Sequence, residues 1–293
     1  MRYLICRPVG GLNDVLNQVS RCMDYSRATG RTLVIDTDFK QSSHFRLPFK
    51  EVFLPKGLDC DFKIPSEVTF ESSLSVLPQM PVRELFDYSV ADVPGRGLCK
   101  QGETTPLTFD FLLDHPQSIL LHHAYGGGTS GILALERLSL SSDLRGFIQD
   151  RLDLLAGNLN YIGVHVRHTD YQSNYRQFLA GLESNYSGER VYVATDSSEV
   201  IHFASEIFAE RLIPNQTRFF NLVGESTLHS FSDPETARDR LFDAICDLFF
   251  LAISKEFVPC QLAAGQPVAW SGYAVLANQI RQNPPLVSRL LHS

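Results

Sequence analysis

The 293-residue chain has no Cys-x-x-Cys pair, no run of 18 apolar residues, no internal repeat and no low-complexity tract. Each absence excludes something. Its six cysteines (Cys6, Cys22, Cys60, Cys99, Cys246 and Cys260) are scattered without metal-ligand spacing. That argues against a zinc module and fits reduced, mostly buried thiols of a cytoplasmic protein. Without a long apolar run there is no membrane-spanning helix to expect, only peripheral contact. Positive charge is short: 26 Lys and Arg stand against 33 Asp and Glu, a net charge of −7. Such a balance disfavours nonspecific nucleic-acid binding, although a local basic pocket can still hold a phosphate. Gly10-Gly11-Leu12-Asn13 is not Gly-x-Gly-x-x-Gly, so a dinucleotide-binding oxidoreductase is disfavoured. The segment Met1–Cys6 reads as a strand and not as a signal peptide. A hydrophobic fraction of 44% is enough for a substantial core, and the length is that of about two domains.

The pattern is that of an α/β protein with two lobes. Leu4-Ile5-Cys6 is a short apolar run ending in the turn Arg7-Pro8-Val9-Gly10-Gly11. Val15, Leu16, Val19, Cys22 and Met23 follow at helical spacing, Gly30 marks the helix stop, and Arg31–Asp36 is the next strand. Strand, turn, helix, strand is a βαβ unit. Residues 37–115 show no sustained period and read as loops, short helices and one or two strands. Residues 118–123 form a buried strand before the loop Tyr125–Gly131. A helix through Leu144, Ile148, Leu152 and Leu155 then leads to Gly157-Asn158, where the lobes 1–157 and 158–293 divide.

The second half alternates more cleanly. Strands are expected at Tyr161–Arg167 and Arg190–Thr195, and Asp196-Ser197-Ser198-Glu199 has the form of a capping box with Asp196 as the cap. An amphipathic helix through Phe208 follows, then a long apolar helix over Pro234–Ser254, a strand at Lys255–Pro259 and a last helix after Ser271-Gly272. That last helix could pack back on the N-terminal lobe. Alternation of this kind means parallel sheets covered on both faces, and two such lobes suggest a central cleft between them.

The most informative stretch is Tyr161–Asp170. On a strand, Ile162, Val164 and Val166 share one face, and His165 and Arg167 share the other. The polar pair lies at the carboxyl end of the strand, where open α/β sheets bind ligands. An arginine fork suits a phosphate, and a basic pair there would stabilise a leaving diphosphate without a metal. The plainer reading is an Arg167–Asp170 salt bridge beside a core histidine. Gly163, which leaves space beside the pair, and His168, a third donor, favour a site.

His165-Val166-Arg167-His168-Thr169-Asp170 resembles the His-x-Arg-x-x-Asp motif of the GT-B-type fucosyltransferases that use GDP-fucose. That family takes in the α1,6-fucosyltransferases, the nodulation-factor enzyme and, more distantly, the protein O-fucosyltransferases. Further segments are similar to the family in the same order: Gly10–Asp14 with Gly30–Asp36, then Val191–Asp196, then Asp247–Leu251, Lys255–Val258 and Ser271. The resemblance implies two Rossmann-like lobes facing a cleft, the first on the acceptor side and the second binding the nucleotide sugar. It also implies that His165 and Arg167 hold the β-phosphate of GDP, with Asp170 as the motif's last member. Asp247 would serve guanine or ribose, Asp196 would line the nucleotide pocket, Ser271 would reach the diphosphate, and Gly10 and Gly11 would approach the sugar. Plainer roles compete: helix caps for Asp196 and Ser271, turn residues for the glycines, and a buried arginine as partner for Asp247.

The chain departs from that pattern where it matters for chemistry. His168 stands where the α1,6 enzymes have a second arginine, and Tyr171 and Tyr175 replace the family's Lys and Glu, the latter its base. Candidates for the base are Asp14, Asp36, Asp38, His122 and His123, with Asp14 preferred. Asp36-Thr37-Asp38 could hold Mg²⁺ or Mn²⁺, but the basic pair makes a metal unnecessary and none is expected. The resulting expectation is a cytoplasmic, metal-independent, inverting transfer of fucose from GDP-fucose to a glycan hydroxyl in bacterial polysaccharide or lipo-oligosaccharide synthesis. The alternatives are a GT-B transferase using GDP-mannose or CMP-Kdo, and a non-catalytic nucleotide- or glycan-binding module.

Overall fold

A computed structural model describes residues 2–39, 45, 47–66, 68, 73–155, 158–169, 171–214, 234–265 and 268–292. The chain divides into two units, Met1–Ser141 and Ser142–Ser293. The elements of the first are β1 (Tyr3–Val9), α1 (Leu12–Thr29), β2 (Thr32–Ile35), β3 (Phe53–Pro55), β4 (Cys60–Asp61), β5 (Val76–Leu77), β6 (Val90–Val93), β7 (Gly97–Lys100), β8 (Ile119–Tyr125), α2 (Gly131–Glu136) and β9 (Leu138–Leu140).

Five of these strands form a sheet of order β4-β2-β1-β8-β5 in which every pairing is parallel. The β1-α1-β2 unit is as the sequence predicts, with α1 stopped by Gly30 in the left-handed conformation at φ 63°. Strand β1 runs on to Val9, so Arg7 and Pro8 are strand residues and not a turn. Proline is accommodated because β2 ends at Ile35, level with Cys6, and only β8 flanks the strand beyond that point. The described residues of 37–115 hold five short strands, more than expected, and two antiparallel pairs, β3–β9 and β6–β7, interrupt the parallel alternation. Strands of two to four residues are too short to show a period of two.

The second unit contains α3 (Ser142–Asp153), β10 (Tyr161–Val166), α4 (Tyr175–Asn185), β11 (Arg190–Thr195), α5 (Ser198–Phe208), α6 (Pro234–Ile253), β12 (Glu256–Pro259), α7 (Gly272–Arg281) and α8 (Pro284–His292). Its sheet, β11-β10-β12, is again all parallel. The division falls before α3 and not at 157, which lies outside the described residues. Helix α3 goes with the second unit because it packs on α6 and α8, burying Leu144 and Ile148 completely. The expected last helix is two, since Asn283-Pro284-Pro285 breaks it, and α8 packs on α7 and α3 within its own unit.

Both faces of the sheet in the second unit are covered. Ile162, Val164 and Val166 pack with Val191 and Val193 against Tyr175, Leu179 and Leu182 of α4 and Val200, Ala204 and Phe208 of α5. The opposite face, with Tyr161, Gly163 and Tyr192, meets α6: the Tyr161 hydroxyl donates to the Phe250 carbonyl at 2.8 Å, and the Tyr192 and Phe250 rings lie 4.9 Å apart. Gly163 does not open space for a ligand. A Cβ there would lie 2.7 Å from Ser254 Oγ and 3.4 Å from the Leu251 Cα, so the missing side chain lets the end of α6 approach the strand.

Candidate functional site

Strand alternation brings His165 and Arg167 to the carboxyl end of β10, on the face opposite the valines. His165 is 6% exposed, and its ring stacks on Tyr273 of α7 with centroids 5.0 Å apart. Burial pushes its pKa down from 6.5 to about 4; Asp196 opposes the shift and Arg167 adds to it. The expected basic pair is therefore one cation and one neutral imidazole. His165 supplies a hydrogen bond and a ring face, and the charge comes from Arg167.

Arg167 is held from the next strand. Register pairs Val166 with Thr195, which sets the following residues, Arg167 and Asp196, side by side. The Arg167 guanidinium meets the Asp196 carboxylate at 2.7 Å, with the carboxylate 4% exposed. Asp196 also accepts from the His168 backbone N–H at 3.0 Å and the Thr169 hydroxyl at 2.6 Å. It is thus the anchor of the loop after β10 and not the cap of α5. Ser197 is the N-cap, without a side-chain cap bond, and Glu199 instead accepts from the Tyr175 hydroxyl and the Arg176 guanidinium. Charge-assisted bonds from three consecutive residues to one buried carboxylate pre-set the loop.

His168 is oriented as well. Its Nδ1 accepts from the Ser173 backbone N–H at 3.2 Å, which places the ring proton of the neutral form on Nε2. Its ring meets Tyr175 edge-on at 4.6 Å. Asp170 lies outside the described residues, so the salt bridge expected from it is not described. Tyr175, at the position of the family's base, is buried and occupied with Glu199.

Asp247 is buried on α6, where its carboxylate accepts from the Tyr192 hydroxyl of β11. Ser271 is the N-cap of α7, its hydroxyl accepting from the Ala274 N–H at 3.1 Å. Tyr273, which sequence reasoning missed, is the link between them. It stacks on His165, donates to the Ala244 carbonyl of α6, and has its phenol pKa raised by burial first and by Asp247 second.

In the first unit the corresponding carboxyl end holds Gly10, Gly11 and Asp14. Asp14 Oδ2 accepts from the Gly11 N–H at 3.1 Å and so closes the first turn of α1. Gly10 has φ +123°, and a Cβ there would sit 2.6 Å from the Asp14 side chain, so glycine is required twice over. Among the other base candidates, Asp36 is held by buried Arg7, 1% exposed, through two contacts of 2.7 Å. Burial raises the Asp36 pKa, while Arg7 opposes the rise. Phe39 covers the Arg7 guanidinium at 3.6 Å. His123 is fully buried beside the Tyr88 hydroxyl at 2.6 Å, and His122 meets the Thr108 hydroxyl at 2.7 Å. Asp38 is exposed, with Lys63 at 3.9 Å. Arg7 gave no signal in sequence because a charged residue beside a proline reads as a surface turn.

Among the described residues no group of three or more His, Cys, Asp or Glu side chains could hold a metal ion. No described helix is long and apolar enough to cross a membrane. All six cysteines are free, and all but Cys60 are buried.

The chain carries two α/β units, each built on an all-parallel sheet. The fold is that of solved fucosyltransferases. NodZ from Bradyrhizobium matches with a TM-score of 0.60 at 18% identity, covering 95% of this chain and 92% of that one. A structure of NodZ α1,6-fucosyltransferase with GDP-fucose matches over the same shares, with a TM-score of 0.59 at 18% identity. POFUT1 in complex with GDP matches with a TM-score of 0.52 at 12% identity, covering 96% of this chain and 94% of that one. No family model matches the chain, and no curated protein matches it in sequence. At these identities the likeness is one of fold.

Proposed function

We propose that this chain is a glycosyltransferase that moves fucose from GDP-fucose to a glycan hydroxyl, with inversion and without a metal ion. The acceptor oxygen forms a bond to the anomeric carbon as the bond from that carbon to the β-phosphate oxygen breaks. GDP leaves with the electron pair, and the acceptor proton passes to a base of the protein. The second unit binds the donor, and the first takes the acceptor. The setting is cytoplasmic synthesis of a bacterial polysaccharide or lipo-oligosaccharide.

The observation that carries this reading is Arg167, set by Asp196 at the carboxyl end of β10 beside neutral His165. The fold neighbours solved with GDP and with GDP-fucose supply the nucleotide. A cation whose position is fixed before the leaving diphosphate gains charge costs no reorganisation at the transition state. The Nε2 proton of His168 supplies a further donor beside it. The N-terminus of α7, capped by Ser271, favours an anion further along the same unit. Asp247 keeps its guanine or ribose role within the proposal, as do Asp170 for the loop and Gly10 and Gly11 for sugar approach. Asp14 is the weakest member, because its carboxylate is engaged in closing α1.

A second reading is favoured by one observation: Tyr175 occupies the place of the family's base and serves the packing of α4. On that reading the chain binds a nucleotide or glycan without turnover. Titration with GDP, UDP, CMP and NAD, each with and without EDTA, followed by turnover of GDP-fucose, separates the two. The expected result is GDP binding indifferent to EDTA and abolished by Arg167→Ala, with transfer to glycan. Binding without turnover favours the module. Preference for another nucleotide removes fucose from the proposal, and GDP binding untouched by Arg167→Ala removes the assigned site.

A further inference from the structure

The first unit holds a pocket of about 460 Å³ that, His122 apart, none of the candidate site residues lines. It lies between α1, the end of β8 and the turn that follows, and its lining includes Gln18, Arg21, His122, Tyr125 and Gly126. Its size falls within the ~300–1,000 Å³ of small-molecule sites.

The pocket wall is built and not incidental. Asn17 ties the glycine-rich turn to α1: its amide nitrogen donates to the Asn13 and Gly128 carbonyls at 2.7 and 3.3 Å, and its amide oxygen accepts from the Ser130 N–H at 2.6 Å. Gly126 allows the closure, since a Cβ there would lie 2.5 Å from both the Asp14 carbonyl and Gln18 Nε2. Gln18 is 4% exposed, and its Nε2 donates to the Val9 and Asp14 carbonyls at 2.9 and 3.1 Å. The amide orientation is thereby fixed, and Gln18 Oε1 is buried without a hydrogen-bond partner among the described residues. His122, 3% exposed, is in the same condition at Nε2, while its Nδ1 is occupied by Thr108. Two polar side chains so buried and half-satisfied cost free energy unless something completes them.

The chemistry of the completing group follows from the charges. Burial holds the His122 imidazole neutral, with a pKa near 4. At the rim, Asp24 is paired with Arg137 at 2.5 Å, and the Arg21 guanidinium lies 4.0 Å over the Phe111 ring. Asp24 is thus paired and Arg21 keeps its charge at the exposed rim, while the two unsatisfied atoms of the floor belong to uncharged side chains, of which the Gln18 oxygen asks for a hydroxyl donor. Tyr125 stands at the edge, 52% exposed, an aromatic face beside a polar floor.

We infer that this pocket is a subsite for an uncharged sugar ring, with hydroxyls reaching Gln18 Oε1 and His122 Nε2 and an apolar ring face lying on Tyr125. The inference rests on the proposed transferase reading, for which the subsite would hold part of the acceptor glycan, away from the reacting hydroxyl.

The test is saturation-transfer NMR with maltose, lactose and cellobiose on the full chain, on Tyr125→Ala and on Tyr125→Phe, with a GDP titration of each sample. Tyr125 is exposed, so its replacement leaves the core intact. At least one disaccharide is expected to bind, to shift the His122 imidazole resonance, and to bind on the order of tenfold more weakly to Tyr125→Ala, while Tyr125→Phe retains the affinity. Binding of none of the three, or binding insensitive to Tyr125→Ala, overturns the subsite, and the pocket then holds water only. GDP binding without sugar binding sinks the subsite and spares the donor reading. Sugar binding without GDP binding does the reverse.

Discussion

Acidification should weaken the second unit through His165 more than through any exposed histidine. The imidazole takes up its proton near pH 6.5 when the chain is unfolded and only near pH 4 when it is buried against Tyr273. Between those values the unfolded state binds one more proton, so stability is fully present above the unfolded pKa and is lost as the pH falls through the window. Each pH unit within it is worth about 1.4 kcal/mol, and a fall from about pH 7 to about pH 5 should remove about 2 kcal/mol. Urea unfolding followed by fluorescence reads this directly, because the single tryptophan, Trp270, belongs to the second unit. The comparison is with His165→Asn, which cannot titrate. All other groups contribute alike to both proteins, so the difference between their pH profiles isolates the imidazole. Wild-type stability should fall by about 2 kcal/mol more than that of the variant over the same interval. Parallel profiles would mean that His165 is charged or solvated in the folded state, and the reading of a neutral partner for Arg167 would fail.

Three further outcomes are expected. Asp196→Ala frees the guanidinium of Arg167 and the loop at His168 and Thr169, so GDP affinity by calorimetry should drop on the order of 10- to 100-fold while the unit stays folded. Gly163→Ala forces a Cβ against Ser254 and α6, which should cost about 1–3 kcal/mol in urea unfolding, partly recovered by adding Ser254→Gly. Asp36→Ala leaves Arg7 charged and buried in the first unit, a loss of about 3–5 kcal/mol in thermal unfolding, whereas Arg7→Met combined with Asp36→Leu should recover most of it.

What the sequence by itself determined are the features written in local period. The β1-α1-β2 unit is legible because an apolar run, a helical stripe and Gly30 follow one another within 36 residues. The alternation in Tyr161–Arg167 is legible for the same reason, and it alone places His165 and Arg167 on one face at the carboxyl end of a strand. The resemblance in motif order carried the fold, because the matching segments fall in both units.

Tertiary structure decided what each of those side chains meets. Arg167 and Asp196 are neighbours only because β10 and β11 pair in a particular register, and nothing within either segment states it. Desolvation, a property of surroundings, turns His165 from the expected cation into a neutral ring. Gly163 serves a helix end some 90 residues later rather than a ligand, and Asp14 turns back on its own helix. The short strands of residues 53–100 gain their identity from the partners they pair with, since two to four residues cannot carry a period. Local spacing sets which way a side chain points, whereas its charge, its partner and its room are set by residues far away in the chain.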